Sequence, residues 1–261
     1  MLVRTWNLFH GNSFPPRRRA FLEEMVELAT ADDPDVLCVQ EVPAWALAGF
    51  TAGAVAARPT LGPLPIPAAL GRRLTVLHHG VLRSAFAGQG NAVQVSRRLR
   101  VLSHGSLELN PRRFRDAEAR ALGLGLLARL AWAKERRVVQ GVRLAAEDGR
   151  TFFVANLHCT SYRLDARLAE AELRRAAWFA TSEAEPNDVV VLAGDFNLGA
   201  GAQALRELTG DEWGFSAPGP GIDHVLVRGA ASSPARRWPD ARRTHDGVVL
   251  SDHAPVEVEI A

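Results

Sequence analysis

Short apolar runs that end on polar side chains constrain this chain more than any other feature. Seven stretches read as strands: Leu2 to Leu8, Val36 to Val39, Val138 to Leu144, Thr151 to Leu157, Val189 to Leu192, Ile222 to Val227 and Val256 to Ile260. They are rich in Val, Leu and Phe and have the length of buried strands. Helical patterns alternate with some of them. Pro15 and Pro16 fit a helix start, and Phe21, Met25, Leu28 and Ala29 recur at helical spacing until Asp32, Asp33 and Pro34 stop it. Leu164 to Ser182, with Leu168, Leu173, Trp178 and Phe179 as apolar members, predicts a second helix. Ala202 to Leu208, closed by Gly210, predicts a short third. Ala117 to Arg137 is a further helical stretch, and Pro59 to Leu70 reads as a single loop or strap. No internal repeat is present, so one domain over residues 1–261, mixing strands and helices, is expected.

Composition adds bounds. Apolar residues make up 47% and charged residues 23%, as in ordinary globular chains. No apolar run approaches the roughly 20 residues needed to cross a bilayer. MLVRTWNL lacks a signal-peptide layout. A cytoplasmic monomer without a transmembrane segment is expected. Cys38 and Cys159 lie far apart and read as small core residues rather than a disulfide or zinc site. Net charge is only +2, but from Val42 to Leu107 there is no Asp or Glu, while Arg58, Arg72, Arg73, Arg83, Arg97, Arg98 and Arg100 lie there. Arginine forks two hydrogen bonds onto a phosphate, so this segment suggests a basic face toward an anionic substrate.

The polar residues at the strand ends form the chemical pattern. Asn7 follows LVRTW, Glu41 follows VLCVQ, His158 follows TFFVANL, and Asp195 and Asn197 follow VVVLAG. Asp223 interrupts the start of GIDHVLV, and Asp252 and His253 follow VVLS. Each alone has a plain reading, such as an Asx-turn at Asp195 or a turn at Asn7. Six strand edges that all carry carboxylate, carboxamide or imidazole suggest one shared pocket. Mg²⁺ bound by oxygen ligands, with a phosphate ester as substrate, fits that set. Glu41 is the best metal ligand, with Asn7 and Asp252 as further candidates. Asp195 can position a water and take its proton. Asn197 can orient that water or a phosphate oxygen. His158 and His253 can donate hydrogen bonds to phosphate oxygens, and Asp223 can fix the His253 tautomer.

These residues resemble a family. TWN at Thr5–Asn7, QE at Gln40–Glu41, NLH at Asn156–His158, GDFN at Gly194–Asn197, IDH at Ile222–His224 and SDH at Ser251–His253 look like the ordered signature of the endonuclease/exonuclease/phosphatase superfamily. GNAVQVSRR, Gly90 to Arg98, resembles a further strand of its members. The resemblance implies a DNase I-like, four-layer αββα sandwich, two mixed sheets face to face with helices outside. It implies divalent-metal-dependent phosphoester cleavage, with Glu41 on the metal assisted by Asn7 and Asp252. It assigns Asp195 and Asn197 to the water, His158 and His253 to the phosphate, and Asp223 to His253.

Three departures narrow the branch. Secreted DNases pair the residue equivalent to His158 with an acid from mid-chain, which the acid-free segment lacks. Abasic-site repair enzymes carry Tyr where this chain has His158 and His224. Inositol-polyphosphate phosphatases flank their G-D-x-N with Trp and Arg, where this chain has Ala193 and Leu198. A phosphodiesterase acting on nucleic acid is the first expectation. A phosphomonoesterase or a lipid phosphodiesterase is the alternative, and an inactive binding scaffold the third.

Overall fold

The computed structural model describes residues 1–50, 54–61, 69–71, 73 and 88–261. Strands β1 (Leu2–Asn7), β3 (Val36–Pro43), β4 (Ala54–Leu61), β5 (Gln89–Val95), β11 (Arg236–Arg237) and β14 (Val256–Glu259) form a six-stranded sheet in the order β11-β14-β1-β3-β5-β4. Strands β6 (Arg100–Glu108), β7 (Val138–Ala145), β8 (Thr151–His158), β9 (Val189–Asp195) and β10 (Asp223–Arg228) form a five-stranded sheet in the order β10-β9-β8-β7-β6. Both sheets are mixed: β1 pairs with β3, and β8 with β9, in parallel, and the remaining neighbours run antiparallel. A ribbon of β12 (Thr244–His245), β13 (Val248–Leu250) and β2 (Ser13–Phe14) lies beside them.

Alternation along each strand builds the layers. Val3, Val36, Cys38 and Val93 of one sheet meet Val142, Val154, Val191 and Val225 of the other in the central core. The opposite faces carry Trp6, Leu37 and Val39 under helix α1 (Leu22–Thr30), and Phe153, Ala155 and Leu192 under helix α5 (Arg167–Glu183). The architecture is the four-layer αββα sandwich, DNase I-like in fold. Cys38 and Cys159 are buried free thiols.

Every inner stripe changes character toward one end. Val3 gives way to Thr5 and Asn7, Val36 and Cys38 to Gln40, and Val154 to Asn156 and His158. Val191 and Ala193 lead to Asp195, and on the antiparallel neighbour Val227 and Val225 lead back to Asp223. The polar ends coincide because the register aligns them: Asn7 faces Gln40, His158 faces Asp195, and Asp195 faces Asp223. Between the sheets, Gln40 Nε2 donates to Asn156 Oδ1 at 2.7 Å and to Thr5 Oγ1 at 3.0 Å. Asn156 Nδ2 donates to the Val39 and Ala92 carbonyls. These amide hydrogen bonds cross from one sheet to the other where the apolar core ends, so the sheets stay in contact behind the polar cleft.

Several expected boundaries move. Helix α1 begins at Leu22, because the chain through Pro15 and Pro16 first leaves β2, which pairs with β13. Ala117 to Arg137 is two helices, α3 (Arg112–Ala121) and α4 (Leu126–Ala133). Gly123, at φ 61, ends the first in the left-handed region open to glycine. Helix α5 starts at Arg167, leaving Leu164 exposed in the preceding loop, and its Trp178 faces solvent. Helix α6 (Gln203–Leu208) matches the expected third. Pro59 to Leu61 closes β4 instead of opening a loop, which an edge strand tolerates because no partner needs the proline N–H. Residues 62–68, the rest of the expected strap before Ala69, lie outside the described residues, as do Arg72, Arg83, His78 and His79. Helix α2 (Ala44–Phe50) follows β3.

A buried ionic network closes the outer face of the six-stranded sheet. Arg4 is fully buried and directly opposite Glu257 in register. Its five N–H groups all donate: Nε and Nη2 to Glu257, Nη1 and Nη2 to Asp32, and Nη1 to the Ala29 carbonyl. Arg4 and Arg242 stack on the Trp238 ring. The network ties α1 to β1 and β14. Removing Arg4 leaves Glu257 buried with Arg242, Arg236 and Trp238 as its remaining partners. Arg4→Leu is expected to lower unfolding stability by about 3 kcal/mol in chemical denaturation, the lower end for a broken buried pair.

The hydrogen bond from Arg4 lowers the Asp32 carboxyl to about 2. A carboxylate held below its unfolded value of 3.8 stabilises the fold above that value and loses the contribution as pH falls toward about 2. Asp32→Asn is therefore expected to be less stable at neutral pH and to show a shallower stability loss between about pH 4 and 2. Its side chain is 43% exposed, so solvent screening keeps the effect small.

Candidate active site

The polar ends of both sheets open into one cleft. Asp195, the last residue of β9, is 1% exposed. Asn7 Nδ2 donates to its Oδ2 at 2.9 Å, and the Asn197 backbone N–H donates to its Oδ1 at 2.9 Å. Both donors fix the carboxylate plane. Gly194 makes this placement possible. Its φ is 150, and a Cβ there would fall 1.9 Å from the Leu157 carbonyl oxygen. Only a bare Cα lets β9 close on β8, so that Asp195 lies beside His158.

Glu41 reaches the cleft by a different device. Alternation would turn it outward, but β3 bulges between Val39 and Val42, and Glu41 adopts φ 52. The carboxylate is thereby aimed at the polar end, within hydrogen-bonding reach of Asn7. Its Oε1 lies 3.9 Å from His158 Nε2, and its Oε2 lies 3.2 Å from His10 Nε2. Burial pushes Glu41 up to about 7 against the pull of His253, and Asp195 and Asp252 add like-charge repulsion. Burial and then the Asp223 charge push Asp195 up to about 6. A divalent cation inverts such shifts, so the donor set fits an oxygen-ligated ion.

The two imidazoles named by the sequence have opposite electrostatics. His253 Nδ1 lies 2.8 Å from Asp223 Oδ2 and 3.0 Å from Oδ1, and its Nε2 lies 3.8 Å from Asp195 Oδ2. Burial alone would lower this imidazole, but the Asp223 hydrogen bond and the Asp195 charge outweigh it and push it up to about 10. His253 is thus a protonated donor. Atoms of Asp195, Asp223 and His253 lie within 4.8 Å of one another, close enough to share an ion. Because the proton on His253 Nδ1 occupies Asp223, that trio is also a hydrogen-bonded relay.

His158 is 3% exposed, with Nε2 3.5 Å from Asp195 Oδ2. Its Nδ1 lies 3.1 Å from Arg137 Nη1, and a guanidinium can only donate. Nδ1 is therefore the acceptor, and Nε2 carries the hydrogen into the cleft. Burial, then the Arg137 charge, holds His158 well below the usual imidazole range. Arg137 is in turn held by Glu135 at 3.2 Å, and its backbone N–H donates to Asn110. Gln89 hydrogen-bonds the other Glu135 oxygen. An arginine thus takes the place left by the missing mid-chain acid.

The remaining named residues divide. Asp252 is at the rim, 36% exposed, with Oδ1 4.0 Å from His253 Nε2. Asn197, at φ 52, commits its Nδ2 to the Cys159 carbonyl at 2.9 Å, so it acts on Asp195 through its backbone N–H. His224 is buried against Phe196 and bonded to the Leu198 carbonyl. Three described arginines of the acid-free segment, Arg97, Arg98 and Arg100, lie at the opposite end of the sandwich, and Arg98 pairs there with Asp33 and Asp35.

Five contributors escaped the sequence reading of roles. Ser251 Oγ accepts from the His253 N–H and donates to the Asn7 carbonyl at 2.7 Å, and Trp6 Nε1 donates to the His253 carbonyl. Arg243 Nη1 caps the Leu250, Ser251 and His253 carbonyls. Arg137 was visible only as a charge just ahead of the apolar run Val138–Val139. His10 lay close to Asn7 in sequence, but only the left-handed turn Phe9–Gly11 (φ 46, 54 and 78) turns it onto Glu41. Of seven non-glycine residues with left-handed φ among the described residues, Phe9, His10, Glu41, Asn197 and Ser251 gather at the cleft. Such conformations each cost about 1–3 kcal/mol and concentrate at functional sites.

A cleft of carboxylates and imidazoles at the common end of two packed sheets marks a DNase I-like protein of the phosphoesterase class. The chain belongs to the Endonuclease/Exonuclease/phosphatase family, whose sequence profile matches residues 5–253. Similar solved structures include a functionally unknown conserved protein from Enterococcus faecalis V583, with 16% identity over 100% of this chain and 99% of that one and a TM-score of 0.65. D. rerio TDP2 complexed with single strand DNA product shares 12% identity over 100% and 98% of the chains, with a TM-score of 0.64. A mannosyl-6-phosphatase from Bacteroides thetaiotaomicron VPI-5482 shares 15% identity over 100% and 99%, with a TM-score of 0.60. At these identities the likeness is one of fold. No curated protein matches the chain in sequence. Among the described residues, no helix is long and apolar enough to cross a membrane.

The Arg137 contact makes the His158 tautomer measurable. In ¹⁵N-histidine spectra of the full chain, His158 is expected as neutral Nε2–H throughout the neutral range. Arg137→Met is expected to release Nδ1 and give a mixture of tautomers.

Proposed function

We propose that this protein is a divalent-metal-dependent hydrolase of phosphate esters, acting as a phosphodiesterase on nucleic acid. The observation that carries the reading is the convergence of Glu41, His158, Asp195 and His253 at successive separations of 3.9, 3.5 and 3.8 Å. Asn7, Glu41 and Asp252 would hold Mg²⁺ or Mn²⁺. When bound, such a cation neutralises the crowded carboxylates and polarises a phosphoryl oxygen.

The chain's own groups divide the remaining tasks. Asp195, held at the end of β9, is the carboxylate placed to accept the proton of an attacking water. Asn7 and the Asn197 N–H hold its plane while it does so. His158 offers a neutral Nε2–H, and protonated His253 a charged one, to the phosphoryl oxygens as negative charge grows. Asp223 keeps the His253 proton on Nδ1 and orients the ring. Exposed Lys134, Arg136 and Arg163 flank the segments that carry Arg137 and His158, which suits a polyanion.

A specific observation favours a second reading, a lipid phosphodiesterase. Leu126, Leu127 and Leu130 on α4 and Leu164 after β8 are 71%, 71%, 58% and 82% exposed, next to those same segments. Exposed apolar clusters of this kind mark interaction surfaces.

The test offers plasmid, single-stranded and abasic DNA, RNA, phosphomonoesters and phosphocholine lipids with Mg²⁺ or Mn²⁺. Nucleic-acid cleavage is expected, and Asp195→Ala or His253→Ala is expected to slow it by at least about a hundredfold. Release of phosphate or phosphocholine with no nucleic-acid cleavage would move the assignment to the alternative substrates. No turnover of any of these would leave a binding scaffold.

A further inference from the structure

We infer that His10 supplies a nitrogen donor to the cation held by Glu41, and that the centre therefore takes a first-row transition ion such as Mn²⁺ in preference to Mg²⁺. The inference rests on the metal-dependent reading above and concerns which ion that site selects.

Three imidazoles face the Glu41 cleft. Arg137 holds His158 with its hydrogen on Nε2, and Asp223 holds His253 by Nδ1. The third, His10, is 5% exposed and places Nε2 3.2 Å from Glu41 Oε2. Two donors of one ion, each about 2.1 Å from it and at right angles, stand about 3.0 Å apart. The observed separation matches that edge without any movement of the backbone.

Both partners are brought there by unusual backbone. His10 lies at φ 54 in the middle of a left-handed turn, and Glu41 lies at φ 52 on a strand bulge. The turn is pinned by backbone bonds: Leu8 N–H donates to the Gln40 carbonyl, Gly11 N–H to Leu8, and Phe21 N–H to Gly11. The Leu8 bond joins the turn directly to β3 beside Glu41, so imidazole and carboxylate move as one unit. Strain kept on both sides of a single contact signals that the contact itself has a use.

The donor types then decide the ion. Mg²⁺ demands oxygen ligands and near-ideal octahedral geometry. An imidazole shifts preference away from Mg²⁺ toward the first-row transition ions, of which Mn²⁺ gains least and is therefore the strictest probe. Glu41, Asn7 and Asp252 alone form an oxygen-only set, and His10 is what changes its character.

The test uses the full chain with Mn²⁺ as the probe. Pulsed EPR of the Mn²⁺ complex is expected to show ¹⁴N coupling from a directly bound imidazole. His10→Phe is expected to abolish that coupling and to weaken Mn²⁺ binding about tenfold by calorimetry, with Mg²⁺ binding changed less than about threefold. His10→Asn, a residue at home in left-handed backbone, is expected to give the same loss and guards against a folding defect. Glu41→Gln is expected to weaken both ions alike. Coupling that persists in both His10 variants, or an equal loss for Mn²⁺ and Mg²⁺, would overturn the role of His10 and leave the cation at Glu41 standing. Failure of the wild-type chain to bind Mn²⁺ would overturn the metal-dependent reading as well.

Discussion

Burying charge between two sheets is the constraint on which this molecule turns. Asp195 and Asp223 face each other across one strand pair, with Glu41 and two imidazoles nearby, all largely withdrawn from water. Isolated ions cannot be kept in such a place, so each needs a partner or a shifted proton affinity. The structure uses both means. Asp223 is matched by His253, Asp195 by two amide donors, and His158 is kept neutral by an arginine. Glu41 and Asp195 stay raised, which is the electrostatic setting a divalent cation favours.

Much of this could be read from residue order. The buried strands were recognisable because runs such as Val189–Leu192 are apolar and bounded by glycine and polar residues. The cleft was recognisable because a carboxylate, carboxamide or imidazole closes nearly every run. The inner stripe carries the explanation: Asp195, Ala193 and Val191 share a face, so a residue at the strand end inherits a place between the sheets. Glu41, singled out in the sequence, lies in the cleft, although its route there, a bulge with left-handed backbone, has no sequence signature.

What stayed hidden depends on distant pairing. Nothing local shows that Arg137 meets His158, twenty-one positions later, or that Gln40 of one sheet meets Asn156 of the other. Part of the acid-free segment, Arg97, Arg98 and Arg100, lies away from the cleft for a related reason. Charge along the chain says nothing of which end of a strand it occupies, and the antiparallel run of β5 carries Arg97 and Arg98 away from the cleft. The Arg137 contact also gives His158 a character unlike an acid-paired histidine. An acid partner would favour the imidazolium, whereas burial and then the guanidinium disfavour it and leave a neutral hydrogen-bond donor.

The gradient along the inner stripes has a mechanical consequence. Valines interlock at one end of the sandwich, while amides, strained turns and crowded charges occupy the other. Cohesion is therefore uneven along each strand, and the barrier to amide-proton exchange falls from the valine end toward the mouth.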